Sequence, residues 1–310
     1  MNLMITGACG HIGSYLSKKF IKYKNIKKIV LIDNLHFTKI NPLFNLKSKK
    51  ITFVDIDLSK KKSLNKINDI DFVIHCASLT NAENSFKIKK LMYKNNLSCM
   101  KNVIAFCIKN NAKLIHLSST SVYGSQKDRV YEDNDEFINP QSPYAKIKVI
   151  EENMLRNNKL INYVSFRLGT IAGVSPGMRF HTAVNKFCLD ASLKRPIKVY
   201  KTAFNQSRPY LSLKDAFNAF KFFLFNGKIK NLTYNLLSDN CTVKQIISII
   251  KKYKKNIKIK FVKAKIMNQL SYNVENSKLK KTGFKINNYL KKDIKETLLY
   301  LNNYEVQNNK

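Results

Sequence analysis

The sequence predicts an α/β fold in which a doubly wound parallel sheet is followed by a smaller, mixed α/β part. Short apolar runs alternate with stretches of helical periodicity over the first half of the 310-residue chain, and this alternation is typical of βαβ units. A glycine cluster also joins the first apolar run, residues 2–6, to a helical stretch that ends near Tyr23. Since no internal repeat suggests another architecture, we expect one sheet with helices on both faces.

Three glycines, Gly7, Gly10 and Gly13, stand between the first strand and the first helix. Glycine there permits a tight turn, close approach of the backbone to a pyrophosphate, and close packing of helix on strand. A second predicted strand, residues 28–32, ends at Asp33, 20 residues beyond Gly13. A carboxylate at that point accepts hydrogen bonds from an adenosine ribose and repels a 2′-phosphate. The pattern therefore indicates a dinucleotide site that prefers NAD to NADP, with a glycine turn and a surface aspartate as the alternative.

Two further strands are predicted at residues 51–54 and 72–78. Asp57 follows the first of them, and it either accepts a hydrogen bond from the adenine amino group or caps a helix predicted from about Ser59. The sequence leaves both possibilities open. The strand predicted at residues 72–78 ends in three small residues, which would let a cofactor lie against the backbone.

The fifth predicted strand, residues 114–117, leads into a hydroxyl-rich run at residues 118–124. After a loop, Pro143 stands just inside the start of a helical pattern. Tyr144 and Lys148 lie at i and i+4 and therefore share one face of that helix. An ammonium beside a phenol favours the phenolate, so the pair predicts a general base that works near neutral pH. Its position, beyond a strand's carboxyl end, is where open α/β sheets bind ligands.

Spacing alone does not select Tyr144 in a chain so rich in lysine. The same Tyr-x-x-x-Lys spacing occurs at Tyr15/Lys19, Tyr23/Lys27, Tyr123/Lys127 and Tyr210/Lys214. Tyr144 differs because it follows a strand and a hydroxyl cluster in a chain that begins with a dinucleotide motif. The context, rather than the spacing, makes it the candidate base.

The chain is strongly basic, with a formal net charge of +36 from 56 Lys+Arg against 20 Asp+Glu. Lysine is spread along the whole chain, and no nucleic-acid-binding motif accompanies it. We therefore attribute the charge to a general compositional drift toward Lys, Asn and Ile, as an AT-rich genome would produce, and expect no nucleic-acid partner. The positive field should nevertheless attract anionic small molecules such as nucleotides.

The six cysteines are scattered, and neither Cys-x-x-Cys pairs nor metal-like Cys/His spacings occur. We therefore expect free thiols and no metal site in a reducing cytoplasm. The sequence starts directly with a strand-like run instead of a signal peptide, and no apolar segment approaches 18 residues. These features predict a cytoplasmic protein without a membrane partner.

Five motifs in this order resemble the extended short-chain dehydrogenase/reductases, and within them the NAD-dependent epimerase/dehydratase family. They are TGACGHIG at residues 6–13, LIDNL at 31–35, HCAS at 75–78, SSTSVYG at 118–124, and the pair Tyr144-x-x-x-Lys148. The resemblance covers nearly the whole chain and is closest to the UDP-glucose 4-epimerases. It implies a Rossmann-type NAD-binding sheet and a smaller substrate domain folded over its cleft.

The resemblance implies a role for each matching position. Ser119 would hydrogen-bond a sugar hydroxyl, Tyr144 would be the base, and Lys148 would lower the pKa of the Tyr144 phenol and hold the nicotinamide ribose. The implied cofactor-binding residues are Gly7, Gly10, His11, Ile12, Gly13, Asp33, Asn34, Asp57, Leu58, Cys76, Ala77, Ser78, Asn96, Tyr144 and Lys148. The implied substrate-binding residues are Thr80, Ser119, Thr120, Thr170, Arg179 and Arg208. Asn96 would brace the active site, and a structural ion pair is an equal alternative for Arg179.

The chain also departs from the family's pattern. Sugar 4,6-dehydratases and decarboxylases of the family resemble this chain but carry carboxylates where Thr120 and Ser121 stand, so the resemblance implies no water elimination here. Thr170 replaces an asparagine that touches the substrate diphosphate in the 4-epimerases, and Pro209 replaces the acid beside Arg208. The guanidinium fork still suits a diphosphate, so we expect Arg208 to bind one. The departures leave the sugar and the nucleotide open.

The remaining elements complete the expected fold. Predicted helices lie at about 85–93, 96–109, 182–192, 215–225, 243–252 and 289–301. Predicted strands lie at 162–167, 195–200, 233–236 and 257–262, with a loop at 169–173 and a frayed tail after residue 304. We expect residues 1–170 to form the NAD-binding domain, with 205–240 returning to it, and residues 171–310 to form the substrate-binding part.

These features together predict an NAD-dependent nucleotide-sugar epimerase that acts at C4 of a UDP-hexose by transient oxidation to a 4-keto intermediate. One alternative is an NAD-dependent dehydrogenase or reductase of a nucleotide-sugar or another carbinol. A second is a dinucleotide-binding protein without catalysis, which the complete Ser119, Tyr144 and Lys148 set argues against. The resemblance also implies a homodimer formed through two helices of each subunit.

Overall fold

The computed structural model describes residues 1–36, 40–80, 84–126, 129–226, 229–263 and 272–302. Among them the strands are, in chain order, β1 (Asn2–Thr6), β2 (Lys28–Asp33), β3 (Ile51–Asp55), β4 (Phe72–His75), β5 (Lys113–Ser119), β6 (Arg129–Val130), β7 (Tyr163–Leu168), β8 (Thr170–Ala172), β9 (Ile197–Tyr200), β10 (Ser207–Ser212), β11 (Leu232–Leu236), β12 (Asp239–Thr242), β13 (Ile259–Val262) and β14 (Asn273–Val274). The α-helices are α1 (His11–Phe20), α2 (Lys89–Asn110), α3 (Pro143–Arg156), α4 (Ala183–Ser192), α5 (Leu213–Phe225), α6 (Val243–Lys251), α7 (Ser277–Lys280) and α8 (Leu290–Asn302).

Seven parallel strands form the large sheet, in the order β11-β7-β5-β4-β1-β2-β3. From β1 the chain winds outward through β2 and β3, and then in the other direction through β4, β5 and β7. The order therefore reverses between β1 and β4, and the carboxyl ends of these strands open the crevice in which such sheets bind ligands. The predicted α/β class with a doubly wound parallel sheet is confirmed.

Both faces of this sheet are covered, which is why its strands read as nearly continuous apolar runs. Leu3 packs in the core on one face with Phe217 of α5, whereas its neighbour Met4 packs in the core on the other face with Met100 of α2 and Leu155. All five are buried. Burial of each such side chain contributes about 1.5–3 kcal/mol, so the two cores fix which residues of each strand face which helices.

The smaller part is built from a three-stranded sheet, β12-β10-β8, and a two-stranded sheet, β13-β9. Its core lies among α4, α6 and α8, with Ile197, Ile246 and Ile294 among its buried members. Between β10 and β12 the chain goes back to the large sheet, where α5 packs against α1 and β11 pairs with β7. The carboxyl edge of the large sheet thus receives loops from both parts of the chain.

The helix predicted from about Ser59 is wrong, because the chain makes a series of turns there. Lys62 has a positive φ of 59°, a left-handed conformation that no α-helix accommodates. Leu64 and Ile67 are buried all the same. Successive turns of the chain bury these two side chains in the core that contains Met4. Their three-residue spacing therefore does not come from a helical face.

The two helices predicted at 85–93 and 96–109 are in fact a 3₁₀ turn, Asn84–Phe86, and a single helix, α2. Asn95 and Asn96 suggested a break, since asparagine competes with helical hydrogen bonds through its side chain. The Asn96 amide instead bonds the backbone of Leu79, in the segment after β4. The helix therefore continues without interruption.

The loop predicted at 169–173 is wrong in part, because Thr170–Ala172 forms β8 beside β10. β10 was missed because Pro209 suggests that no strand passes there. Pro209 is tolerated because only β12 pairs with it, opposite Asn240, while the pairing with β8 begins one residue later, at Tyr210. The tail after residue 304 lies outside the described residues.

Candidate active site

The glycine cluster forms a close contact between three segments. Gly7 has a φ of +64°, and a Cβ on it would lie 2.7 Å from the backbone nitrogen of Ala77. A Cβ on Gly13 would lie 2.1 Å from the Gly7 carbonyl oxygen. Only glycine fits at these two positions, and it brings the amino end of α1 against β1 and β4 as a dinucleotide pyrophosphate requires.

Asp33 ends β2 beside this turn and is nearly buried. Its carboxylate accepts the backbone N–H of Cys9 at 2.9 Å and that of Leu35 at 3.1 Å. These bonds tie the glycine turn to the end of β2. They also hold a carboxylate at the position where the sequence predicted an acceptor for an adenosine ribose.

Asp57 forms a local turn. One oxygen of its carboxylate accepts the Ser59 backbone N–H at 2.9 Å and the Ser59 hydroxyl at 2.7 Å. The local bonding foreseen as its alternative role is present, but it closes a turn instead of capping a helix. Leu58, the next cofactor candidate, is buried in the core beneath α2.

The small residues after β4 lie against the glycine turn. The Ala77 N–H donates to the Thr6 hydroxyl at 3.2 Å. The Asn96 amide accepts the Leu79 N–H at 2.9 Å and donates to the Leu79 carbonyl at 3.1 Å. Asn96 is 1% exposed, and its side chain braces the segment that carries Ser78 and Thr80.

A loop after β8 covers the amino end of α1. The His11 ring lies 2.8 Å from the Gly173 carbonyl and donates Nε2–H to it. Burial lowers the pKa of His11 to about 4, so the ring is neutral at pH 7. The Gly177 N–H donates to the Ser14 hydroxyl at 2.9 Å. The loop is thereby fixed over the glycine turn.

Arg179 belongs to this loop and reaches toward the glycine turn. Its Nη1 donates to the Thr80 hydroxyl at 3.2 Å, and its Nη2 would lie 3.8 Å from a Cβ on Gly10. Two residues predicted to bind substrate, Arg179 and Thr80, are therefore in contact. The guanidinium lies beside the glycine turn, which the sequence did not indicate.

Ser119, Tyr144 and Lys148 converge at the carboxyl end of β5. Ser142 caps α3 by accepting the Ala145 N–H at 3.1 Å, and Pro143 occupies the first turn. This start places Tyr144 next to Ser119, whose hydroxyl is within hydrogen-bonding reach of the phenol. One turn on, the Lys148 ammonium lies 5.8 Å from the centre of the Tyr144 ring.

The electrostatics of Tyr144 differ in part from the prediction. Burial raises the pKa of the phenol, and the Glu151 carboxylate raises it further, while the Lys148 ammonium and the Ser119 hydroxyl lower it. The pKa stands above its ordinary value in the protein alone. Lys148 thus acts in the predicted direction, but the sequence did not reveal how strongly burial and Glu151 oppose it.

Thr120 is almost completely buried, and its hydroxyl donates to the Leu168 carbonyl at 3.1 Å. It also accepts a 3.4 Å hydrogen bond from Tyr272. Tyr272 was missed because no motif surrounds it and 152 positions separate it from Thr120. Its phenol brings the carboxyl-terminal part of the chain to the segment next to Ser119.

Arg208 and Thr170 lie on adjacent strands of the smaller sheet. Thr170 pairs with Tyr210, two residues along β10 from Arg208. Burial raises the pKa of the Tyr272 phenol, while its hydrogen bond to Thr120 and the charge of Arg208 lower it. Arg208 is therefore close to the phenol that joins the carboxyl-terminal part to Thr120.

A row of four polar side chains crosses the large sheet beneath the site. Thr6, His75, His116 and Ser165 stand in register on β1, β4, β5 and β7. The Thr6 hydroxyl lies 2.8 Å from Nδ1 of His75, and the Ser165 hydroxyl lies 2.9 Å from Nδ1 of His116. The Thr6 hydroxyl also accepts the Ala77 N–H at 3.2 Å, so it links His75 to the segment after β4.

The buried His75 predicts acid sensitivity. Burial lowers its pKa to about 3 from an ordinary 6.5, so the unfolded chain binds more protons between these values, and the free energy of unfolding falls as pH drops below about 6.5. We expect His75 to account for about 1.4 kcal/mol of the loss between pH 7.5 and 5.5. His75→Asn keeps an acceptor for Thr6 but does not titrate there. Urea unfolding at both pH values should show a loss smaller by that amount in the variant, and equal losses would contradict this account.

All six cysteines are free, and five of them are buried. Over the part of the chain that the structure describes, no group of three or more His, Cys, Asp or Glu side chains could hold a metal ion. Within the same ranges, no helix has both the length and the apolar character needed to cross a membrane.

Comparison with known proteins agrees with this geometry. A dTDP-D-glucose 4,6-dehydratase of Dictyostelium discoideum is 31% identical over 268 residues, which cover 76% of this chain and 58% of that protein. The chain spans about half the length of the first curated relatives that it matches.

Solved structures share the fold. A UDP-N-acetylglucosamine 4-epimerase of Methanobrevibacter ruminantium superposes with a TM-score of 0.86 at 24% identity, over 96% of this chain and 97% of the other. A UDP-glucose 4-epimerase of Thermus thermophilus in complex with NAD superposes with a TM-score of 0.84 at 20% identity, over 97% of this chain and 99% of the other. The family model described as NAD dependent epimerase/dehydratase matches residues 3–236. The chain belongs to this NAD-dependent epimerase/dehydratase family.

Proposed function

We propose that this protein is an NAD-dependent nucleotide-sugar epimerase that acts at C4 of a UDP-hexose through a 4-keto intermediate. The observation that carries the proposal is the convergence of Ser119, Tyr144 and Lys148 at the carboxyl end of β5. Burial raises the pKa of the Cys76 thiol to about 12, and the Lys148 ammonium opposes that rise, so the ammonium lies close to the residues that pack on the glycine turn. A base, its cation and a hydroxyl donor therefore border one crevice.

The crevice fits NAD. A Cβ on Gly7 or Gly13 would collide with backbone atoms of neighbouring segments, so glycine lets the amino end of α1, where a pyrophosphate would bind, begin close to β1. The Asp33 carboxylate at the end of β2 suits a ribose with both hydroxyls free and disfavours a 2′-phosphate. The Arg179 guanidinium above Gly10 is placed to meet the pyrophosphate from the opposite side. NAD supplies, when bound, a group that accepts a hydride and gives it back.

The chain's own residues would handle the proton. The Tyr144 phenolate takes the proton of the C4 hydroxyl as that carbon loses a hydride, and returns it when a hydride comes back to the opposite face. The Ser119 hydroxyl forms a hydrogen bond with the oxygen on C4, and the Lys148 ammonium stabilises the Tyr144 phenolate. Because the phenol has a raised pKa in the protein alone, we expect the rate to increase with pH until the phenolate is formed.

The substrate diphosphate would be held from the carboxyl-terminal part. The charge of Arg208 acts on Tyr272, whose phenol donates to Thr120, and the guanidinium suits two phosphate oxygens at once. Thr170 lies on β8, the strand beside β10, and Thr80 contacts Arg179. Arg208 is accordingly the main candidate for binding the nucleotide-sugar.

Water elimination is disfavoured at this site. The residues after Ser119 are Thr120 and Ser121, and neither carries an acid. The Ser121 hydroxyl donates to Ser119 at 2.9 Å, and Thr120 bonds the Leu168 carbonyl. Although dehydratases are among the relatives, these contacts favour epimerisation, which needs no acid for a leaving hydroxyl.

Incubation of the purified protein with UDP-glucose and NAD tests the function. Nuclear magnetic resonance should detect UDP-galactose while the absorbance at 340 nm stays flat, because the hydride is returned in each turnover. Stoichiometric gain of absorbance would establish a dehydrogenase, and loss of the C6 hydroxyl would establish a dehydratase. If UDP-glucose does not react, a panel of nucleotide-sugars ranked by thermal shift identifies the substrate.

A homodimer through α2 and α3 is part of the proposal. The two helices pack side by side, and Leu91 of α2 is 51% exposed while Ile150 of α3 is 36% exposed. Apolar side chains on a pair of adjacent helices suit a four-helix contact with a second copy. Light scattering should give twice the chain mass, and Leu91→Lys with Ile150→Lys should reduce it to the monomer value.

A further inference from the structure

A buried carboxylate stands between the candidate catalytic lysine and the sheet. Glu151 lies one turn beyond Lys148 on α3, and its Oε2 accepts a hydrogen bond from the Lys148 ammonium at 2.7 Å. Lys148 is 3% exposed and Glu151 is 1% exposed. The contact is therefore a buried ion pair rather than a surface one.

The same oxygen has a second donor on the sheet. Nε2 of His116 lies 3.0 Å from Oε2 of Glu151. Since the carboxylate has no proton to give, Nε2 carries the hydrogen, and Nδ1 accepts from the Ser165 hydroxyl at 2.9 Å. His116 is fully buried on β5, three residues before Ser119. The chain of bonds from Ser165 through His116 and Glu151 anchors the ammonium to two strands.

This anchoring answers two physical needs of Lys148. A lysine side chain loses rotamer freedom when it is fixed, and a buried ammonium requires a counter-charge. Glu151 supplies both the fixed partner and the charge. It also opposes the effect of the ammonium on Tyr144, because both charges act on the same phenol.

Resting on the proposed function, we propose that Glu151 is a positioning residue that holds the Lys148 ammonium beside Tyr144 and sets how much of its charge the phenol experiences. His116 acts one step further away, by orienting the carboxylate. The titratable groups that face Glu151 are Lys148 and Tyr144 on α3, His116 on β5, His75 on β4 and Cys99 on α2.

A purely structural ion pair is the competing explanation, and the adjacent residue provides its control. Glu152 is 4% exposed on the same helix and pairs with the buried Arg167 at 2.7 Å. That pair bonds neither Tyr144 nor Lys148. Glu151→Gln and Glu152→Gln are therefore the same chemical change at two buried ion pairs, and only the first bonds the lysine.

The test follows the ionisation of Tyr144 by tyrosinate absorbance in the full-length protein. Because the chain has 15 tyrosines, the signal of Tyr144 is the difference between each protein and its Tyr144→Phe counterpart. In Glu151→Gln the phenolate should become the counter-ion of Lys148, so ionisation should move to lower pH. Glu152→Gln should lower the thermal midpoint but move the titration less. Glu151→Asp, which keeps the charge on a shorter arm, should lie between wild type and Glu151→Gln and serves if the latter does not fold.

The titration needs no substrate, so it separates this inference from the proposed function. If the protein turns over a nucleotide-sugar, the acid limb of kcat/KM should move with the titration, and the plateau of kcat should fall roughly 10- to 100-fold as the ammonium loses its fixed position. A folded Glu151→Gln whose Tyr144 titration is unmoved or moves to higher pH overturns the proposal. So does a Glu152→Gln shift of equal size.

Discussion

Tyr144→Phe should lose about 10²- to 10⁴-fold in kcat, because in the proposed mechanism the phenol oxygen takes the proton of the reacting hydroxyl. The fold should survive. The ring is only partly buried, and Ser119 keeps its 2.9 Å bond from Ser121 when the phenol is gone. The rate of formation of the epimer under saturating nucleotide-sugar measures the loss. Binding of NAD, measured by calorimetry, should remain within a few-fold of wild type.

Tyr15→Phe is the matched control. Tyr15 has the same four-residue spacing to a lysine, and the Lys19 ammonium lies 5.3 Å from its ring centre, closer than Lys148 lies to the ring of Tyr144. Burial and the Asp293 and Glu296 carboxylates raise the pKa of the Tyr15 phenol, whereas the Tyr144 phenol has Ser119 within hydrogen-bonding reach. We expect Tyr15→Phe to keep wild-type turnover. A Tyr144→Phe variant that retains more than a tenth of the activity removes the phenol from the mechanism.

Tyr15 and Tyr144 show why the candidate site could be predicted from the sequence. Spacing brings each phenol near an ammonium, but only Tyr144 follows a strand whose end carries Ser119. Order along the chain determines which loops meet at the carboxyl edge of a parallel sheet. The glycines, Asp33 and Tyr144 each follow or precede a predicted strand, and so their meeting could be inferred without coordinates.

Other parts of the site depend on contacts that no local pattern encodes. Glu151 reads as an ordinary helix carboxylate, and nothing local shows that it also accepts from His116, 35 positions away. Tyr272 reaches Thr120 from a stretch without a motif. Arg179 suggested a substrate contact, but the loop that carries it closes over the glycine turn. Each of these depends on how two distant segments pack.

The errors in the predicted secondary structure also arise from contacts between distant segments, because these contacts compete with the local preferences of single residues. Asn96 favours a helix end locally, yet its amide satisfies Leu79 and α2 continues. Pro209 argues against a strand, yet β10 forms because its second partner begins one residue later. In both cases a residue's usual local preference is outweighed by a specific neighbour in the fold.

Gly13→Ala should produce the other large effect. Helix propensity alone favours the change, since alanine within a helix such as α1 is about 1 kcal/mol better than glycine. The added Cβ would, however, lie 2.1 Å from the Gly7 carbonyl oxygen and 2.9 Å from Cα of Ala8. Both are backbone atoms of the turn, so α1 must move away from β1 to remove the clash. We expect a loss of at least about 3 kcal/mol in the free energy of unfolding, or a loss of NAD binding where the protein still folds.

Gly10→Ala separates this clash from a general need for glycine in the turn. A Cβ there lies 3.2 Å from the Gly7 carbonyl oxygen and 3.8 Å from Arg179, so a shift of a few tenths of an ångström accommodates it. The Gly10 backbone has a φ of −74°, which alanine adopts without strain. Thermal unfolding should therefore rank Gly10→Ala close to wild type and far above Gly13→Ala. Equal unfolding midpoints for the two variants would mean that the packing of α1 on β1 does not decide the stability of the glycine turn.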